Sequence, residues 1–599
     1  MFDRANFADT CPQRANVIEW LPFEKGQSVV IHSSAPSAVI DMLRDKEVQL
    51  QVLSDTQVEK LAANPGKGSL DYVIVLGMEV DAKFLAGLYR KVKPEGHLVV
   101  LLHNKYGMSY LAGKPAFREQ YYAALTENHA GKSAFSSLKG MEKLCKEAGI
   151  REVSRFYLDP DGEFVTNIYS DKYLPRNGDS SVKPRNFTYD RLAMFEETAA
   201  WNQAAQEDMY PFFANDYLLV TGSELEQAMV RYSNDRAAAY QIKTEMYMTG
   251  QSMEVRKTAL HPQGVDHLVK MAENYQTLCE QYESSVFTIV PCTWNGVSLV
   301  SPFVKGVTLS ERMKAALAKG DEETVFTLFH TFLNKLRHGK TFPFSNYDFI
   351  FSNILIDGDN WQVIDYEWTV DKAVPAEELA FRAAYCFSLE HKDFPFEDIC
   401  RILNLDKQKV QQLIDRETAY QKGITGNQDA LGTLCEKYGG DVYTKDALLR
   451  ALEISTTDHR AQIYEDSGKG FSEEQSYFVE HVLTHHDEME LTLKVPVGMK
   501  ALRVDPCEEP CLVQIKRLWW NGEEQYLEKQ IEVNGIKGKG GKNNYPEYIF
   551  ATKDPNFTIT LDKMQEGSDS FNELKLQLEI HKLSLQLANA LTKSIKRII

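Results

Sequence analysis

The period of the hydrophobic positions changes along this chain, and the changes divide it. In residues 1–175 short apolar runs alternate with amphipathic stretches. QSVVIH (27–32), VQLQVLS (48–54), DYVIVLG (71–77) and GHLVVLL (96–102) predict buried strands, and VDAKFLAGLYRKV (80–92) predicts a helix between two of them. Strand and helix in alternation are the pattern of a parallel sheet covered on both faces.

Residues 176–222 open with the linker-like RNGDSSVKPRN and continue as a helical connection around MFEETAAWNQAAQEDM. From 223 to 415 the strand-like AYQIKTEMYM (239–248) and SMEVRKTAL (252–260) give way to helices and then to a strand–loop–strand region at 345–370. Residues 416–487 read as a polar helical extension. From 488 to 582 the texture is β-rich, and strict alternation in LKLQLEI (574–580) marks a half-exposed strand. Several short strands of this kind predict a small sandwich. The segment 583–599 carries apolar residues at 583, 587, 591, 595 and 598, the spacing of an amphipathic helix, with Lys593, Lys596 and Arg597 where cations suit the helix dipole.

Composition narrows the function classes. A length of 599 residues suits roughly three or four domains, and 43% hydrophobic residues exclude a disordered chain. The net charge of −18 argues against a nucleic-acid-binding body, which needs a basic face. No apolar run reaches the ~18 residues of a membrane span. The opening MFDRANFADTCPQ lacks a basic and an apolar region, so no signal peptide is expected. Nine scattered cysteines, of which only Cys507 and Cys511 lie close, predict reduced thiols and a cytoplasmic protein.

Phosphoryl transfer needs a cation on the nucleotide phosphates, metal ligands, and a carboxylate to orient the acceptor hydroxyl. NYDFIFSNILI (346–356) offers Asp348 and Asn353 as a D-x4-N loop, and the strand of WQVIDYEW (361–368) ends at Asp365. Upstream, Lys257 stands on a predicted strand, and Glu273 in the following helical stretch is its expected ion-pair partner. The loop SNDRAAAY (233–240) contains no glycine to cover phosphates with backbone amides. In the first domain, the turn IHSSAPSAV (31–39) likewise has no glycine, and Asp55 is the carboxylate at the tip of the second strand. His485 and His486 lack a surrounding metal set, and of the adjacent Trp519 and Trp520 at most one can face a ligand.

KPEGHLVV and HNKYGMSYLAG (103–113), within 71–113, resemble class I S-adenosylmethionine-dependent methyltransferases, in particular those fused to sugar kinases in bacterial surface-glycan gene clusters. FSNYDFIFSNILI and IDYEWTVDKAVP resemble the kinase halves of the same fusions, which are similar to aminoglycoside phosphotransferases. The resemblance implies an α/β chain: a Rossmann-like methyltransferase fold, then a two-lobed protein-kinase-like fold, then a β-sandwich-like module with a terminal helix. It implies Asp348 as catalytic base, Asn353 and Asp365 as metal ligands assisted by Glu367, and Lys257 and Glu273 at the nucleotide. It implies ATP and magnesium as cofactors, and S-adenosylmethionine at Asp55. The acceptor expected is a sugar hydroxyl of a surface glycan, with a glycosyltransferase as partner and peripheral association with the inner face of the membrane. An active methyltransferase and a non-catalytic scaffold are the alternatives. The terminal helix is too short for the coiled-coil ruler of such fusions, which takes three or four heptads.

Overall fold

The apolar runs near the start of the chain become four parallel strands, in the spatial order Gln49–Leu53, Ser28–His32, Leu70–Leu76 and Val92–Asn104. Alternation sends Val73 and Val75 to one face, against Phe84, Leu85 and Leu88 of the helix Ala82–Tyr89. Tyr72, Ile74 and Leu76 go to the other, against Val39 and Leu43 of the helix Ser37–Asp45. Both faces are covered, as runs of apolar residues without a polar side require. This first part of the chain is Rossmann-like.

The computed structural model describes residues 9–114, 133–176, 191–426, 442–444, 459–481, 488–525, 530–537, 546–552, 554–562 and 570–583, with Phe7, Leu125, Met564 and Leu587 besides. It divides into two units, Met1–Val442 and Tyr443–Ile599.

In the first unit, Asp216–Thr221 inserts antiparallel between Val92–Asn104 and Val153–Asp159. The sequence places these residues in the 176–222 connection. All six are buried, and a buried strand needs partners for its backbone groups on both edges. The sheet then continues antiparallel through Asn167–Ser170, Gln227–Ser233, Ile242–Thr249, Ser252–Ala259, Leu299–Pro302 and Thr293–Trp294. The methyltransferase-like and kinase-like stretches therefore share one sheet of 13 strands.

The helix Val265–Gln281 packs on the far end of this sheet, with Leu268 and Met271 against Ile242 and Leu299. A mostly helical body follows, built from Leu309–Leu317, Glu322–Arg337, Ala376–Glu390, Phe396–Ile402 and Lys407–Thr425. Its core joins Phe329, Phe332, Leu379 and Phe387 of these helices to Phe351, Ile354 and Val363. The last two belong to a hairpin, Ile354–Asp357 and Asn360–Val363, whose two-residue turn uses Gly358 at a φ of 58°. Thus the loop carrying Asp348 and the segment carrying Asp365 leave the core side by side.

The second unit holds two antiparallel sheets, one of five strands and one of six. Ala461, Ile463, Leu502, Val504 and Ile559 from the first share a core with Met489, Leu491, Val513, Leu574, Leu576 and Leu578 from the second. The helical expectation for 416–487 ends at Thr425: residues 459–466 and 476–481 are strands, and Ala461 and Ile463 point inward two positions apart. Trp520 is buried in this core, while Trp519 lies beside Lys575, whose Nζ is 5.6 Å from the ring centre. Cys507 and Cys511 are buried free thiols. His485, His486 and most of the expected terminal helix lie outside the described residues.

Candidate functional site

Lys257 sits mid-strand in Ser252–Ala259, its backbone paired with Thr244 on one side and Leu299 on the other. Two ladders therefore fix where its side chain starts. Its Nζ donates to both carboxylate oxygens of Asp365, at 2.8 and 2.7 Å. Asp365 is held in turn: the next-door Ile364 N donates to the Asn353 carbonyl at 3.0 Å. Asn353 Nδ2 donates to the Asp348 carbonyl at 3.1 Å, and Asp348 N donates to Asn346 Oδ1 at 2.9 Å. Arg382, paired with Glu417 at 2.8 Å, donates to the Tyr347 carbonyl and braces the loop from behind. The structure thus brings Lys257, Asp348, Asn353 and Asp365 together.

Electrostatics at this cluster is strongly uneven. Burial, then the charges of Asp365 and Glu367, push the Asp348 carboxyl up to about 7, against the pull of Arg382 and Lys257. Burial would also raise Glu367, but Lys257, His267 and Arg236 overcome it and hold that carboxyl at about 2. The neighbouring carboxylates outweigh desolvation at Lys257 and raise its pKa, so the ammonium stays charged. A protonatable carboxyl beside a fixed ion pair is the arrangement general-base chemistry uses.

Glu367, the carboxylate expected to assist a metal, is engaged by protein groups. Its Oε1 accepts from Arg236 Nη1 at 2.6 Å and from His267 Nε2 at 3.1 Å, and Oε2 lies 3.6 Å from Lys257 Nζ. Two cations and an imidazole enclose it. Glu273, the expected ion-pair partner of Lys257, is exposed, because the helix Val265–Gln281 buries Leu268, Met271, Asn274 and Leu278 and turns position 273 outward; Lys257 pairs with Asp365 instead. His267, one turn nearer the start of the helix than Met271, faces the cluster instead. Arg236 and His267 carried no signal in the sequence beyond their residue types, because only the chain's return at Glu367 gives them a common partner.

Two oxygen-bearing side chains of this loop are candidates for a divalent cation. The donor nitrogen of Asn353 is spent on the Asp348 carbonyl, and its amide oxygen has no hydrogen bond to protein among the described residues. Asn353 Oδ1 and Asp365 would hold magnesium, with phosphate oxygens and water completing the shell. Among the described residues no group of three His, Cys, Asp or Glu side chains forms an all-protein cage.

A second polar cluster lies at the carboxyl ends of the parallel strands, where doubly wound sheets bind ligands. His103, at the end of Val92–Asn104, directs Nδ1 to Asp216 Oδ1 at 2.5 Å. Asp216 is 2% exposed, and its other oxygen accepts from Gly162 N at 2.6 Å. Desolvation opposes the imidazolium, yet Asp216 prevails and raises the His103 pKa. Lys114 pairs with Asp161 at 3.2 Å on the same rim. At the first two strand tips, His32 bridges Ser34 and Asp55, and Ser34 Oγ donates to the Leu76 carbonyl at 2.8 Å. Asp55 is the first residue of the helix Asp55–Ala63, its carboxylate 79% exposed, with Oδ1 on His32 and Oδ2 free of protein partners among the described residues.

No protein-family model matches the chain, and no curated protein is similar to it. Solved structures with weak similarity include phosphoethanolamine N-methyltransferase 2 of Haemonchus contortus in complex with S-adenosyl-L-methionine, at 12% identity and a TM-score of 0.22. That match covers 37% of this chain and spans 58% of the length of the other. An S-adenosylmethionine-dependent methyltransferase from Mesorhizobium loti is 13% identical with a TM-score of 0.19, over 36% of this chain and 98% of that one. Among the described residues no helix is long and apolar enough to cross a membrane.

Proposed function

We propose that the chain is a phosphotransferase that uses ATP and magnesium to phosphorylate a sugar hydroxyl of a surface glycan. The carrying observation is the Lys257–Asp365 ion pair set beside Asp348, whose carboxyl is pushed up to about 7 by burial and the neighbouring carboxylates. The glycan acceptor rests on the resemblance of FSNYDFIFSNILI and IDYEWTVDKAVP to sugar kinases of surface-glycan clusters.

In this reading Asp348 accepts the proton of the acceptor hydroxyl as the new oxygen–phosphorus bond forms and the bond from the γ-phosphorus to the ADP oxygen breaks. Lys257 trades one Asp365 contact for a phosphate oxygen and keeps its charge throughout. When bound, magnesium neutralises phosphate charge that the three nearby carboxylates would otherwise repel. Asn353 and Asp365 orient it. Calorimetric titration of the full chain with ATP and magnesium tests the reading: binding that requires the metal and vanishes in Asp365→Ala supports it. A folded wild-type chain that takes up no heat with MgATP overturns it.

A second reading is favoured by the His103–Asp216 pair: the Rossmann-like part transfers a methyl group. S-Adenosylmethionine supplies that group when bound. The free Oδ2 of Asp55 fits a ribose hydroxyl, and His103 takes the acceptor's proton on Nε2. Titration with S-adenosylmethionine decides it, because Asp55→Ala must weaken any binding seen.

A further inference from the structure

The loop between Gln227–Ser233 and Ile242–Thr249 is where a phosphotransferase built on such strands covers the nucleotide phosphates, and residues 234–241 contain no glycine. What this loop supplies instead is Arg236. Its guanidinium reaches Glu367 at 2.6 Å and lies over the Trp368 ring, 5.2 Å from the centre. The position is held from several sides. Ala237 N donates to the Ile424 carbonyl at 2.9 Å, Gln241 Nε2 donates to the Arg236 carbonyl at 2.6 Å, and Asn234 Nδ2 donates to Asn16 Oδ1 at 2.7 Å.

Holding an arginine this firmly would be wasteful if the contact to Glu367 were its whole task. Only Nη1 is committed to a protein acceptor among the described residues, and the side chain remains 22% exposed. An arginine offers five N–H donors in a planar fork that matches phosphate oxygens. Arg236 comes from the loop and Lys257 from the strand Ser252–Ala259, yet both approach Glu367, at 2.6 and 3.6 Å. A phosphate that engages Lys257 is therefore within reach of the unused donors of Arg236.

We propose that Arg236 binds the phosphates of the nucleoside triphosphate, doing with a side chain what a glycine-rich loop does with backbone amides, while Glu367, His267 and Trp368 position it. The assignment rests on the phosphotransferase reading. It also gives the buried Glu367 a task, to hold Arg236 in place.

The test is calorimetry on the full chain with MgATP, MgADP and adenosine, comparing wild type with Arg236→Ala and Arg236→Lys. Loss of a charge-assisted contact weakens binding on the order of 10- to 100-fold. That loss is expected for MgATP in Arg236→Ala, with adenosine affinity unchanged and Arg236→Lys intermediate. Equal losses for MgATP and adenosine would reduce Arg236 to a positioning residue and overturn the proposal. So would unchanged or tighter MgATP binding, the mark of a latch that nucleotide must open. If Arg236→Ala unfolds, the Arg236→Lys comparison across the three ligands decides alone. A wild-type chain that binds no MgATP overturns the phosphotransferase reading itself, a result distinct from a wild type that binds and a variant that binds equally well.

Discussion

Lys257 and Asp365, 108 positions apart in the chain, form a two-bond ion pair in which Nζ meets Oδ1 at 2.8 Å and Oδ2 at 2.7 Å. The pair joins the long sheet to the hairpin of the helical body, so it is both a structural tie and the charge centre of the candidate site.

Replacing Lys257 by Met tests the tie. Asp365 and the enclosed Glu367 each lose a cation, and a charged hydrogen-bonded contact of this kind is worth about 1–3 kcal/mol. Because Asp365 is partly open to solvent, the lower end of that range is expected. Urea unfolding should show a lower midpoint at neutral pH. An unchanged midpoint would mean that the pair contributes nothing to stability.

Asp348→Asn should reduce phosphoryl transfer on the order of 10²- to 10⁴-fold while MgATP still binds. With the wild-type carboxyl at about 7, transfer should rise with pH through neutrality in kcat/KM. A rate that is flat from pH 5 to 8 would remove Asp348 from the base role.

The same group carries a stability signature. Its folded pKa, about 7, is raised above the ordinary carboxyl value of ~3.9. Its contribution is therefore fully present below pH ~4 and is lost as pH rises through about 7. Relative to wild type, Asp348→Asn should gain stability across that window, read as the difference in urea midpoints at successive pH values. A constant difference would contradict the raised pKa.

At the other cluster, Asp216→Asn should lower the His103 pKa, followed by the imidazole proton resonances. The carboxylate now raises it, so the stabilisation is present below the ordinary histidine value of ~6.5 and is lost as pH climbs through the higher folded value. The variant should lose stability at pH 6 and little at pH 9. Equal losses at both would point to packing rather than charge.

In the second unit, Leu576 is fully buried between Leu491 and Leu518 in the backbone register. Leu576→Ala should cost about 2–5 kcal/mol, measured as a lowered unfolding midpoint. A change below ~1 kcal/mol would show that the site collapses around the gap.

Local pattern explains what could be read in advance. The runs at 28–32, 70–76 and 92–104 are strands because apolar residues without a polar side must be covered on both faces. The hairpin before Asp365 is legible as the strand–loop–strand pattern of 345–370, and the D-x4-N loop from its own spacing. Strands 459–466 and 476–481 were not, since their polar outer faces resemble an exposed helix in composition.

What the sequence determined by itself is short-range: which stretches are strands or helices, and which residue types could bear a charge at a reactive centre. Only tertiary structure decided the partners. It put Asp365, not Glu273, on Lys257, because the helical period turns position 273 to solvent. It surrounded Glu367 with Arg236, Lys257 and His267, three residues from separate segments. It also ran one sheet through two stretches of different texture. A hydrogen-bonded edge is completed by whichever strand the fold delivers to it, and a buried charge by whichever cation arrives within about 3 Å. Neither choice is written in spacing along the chain.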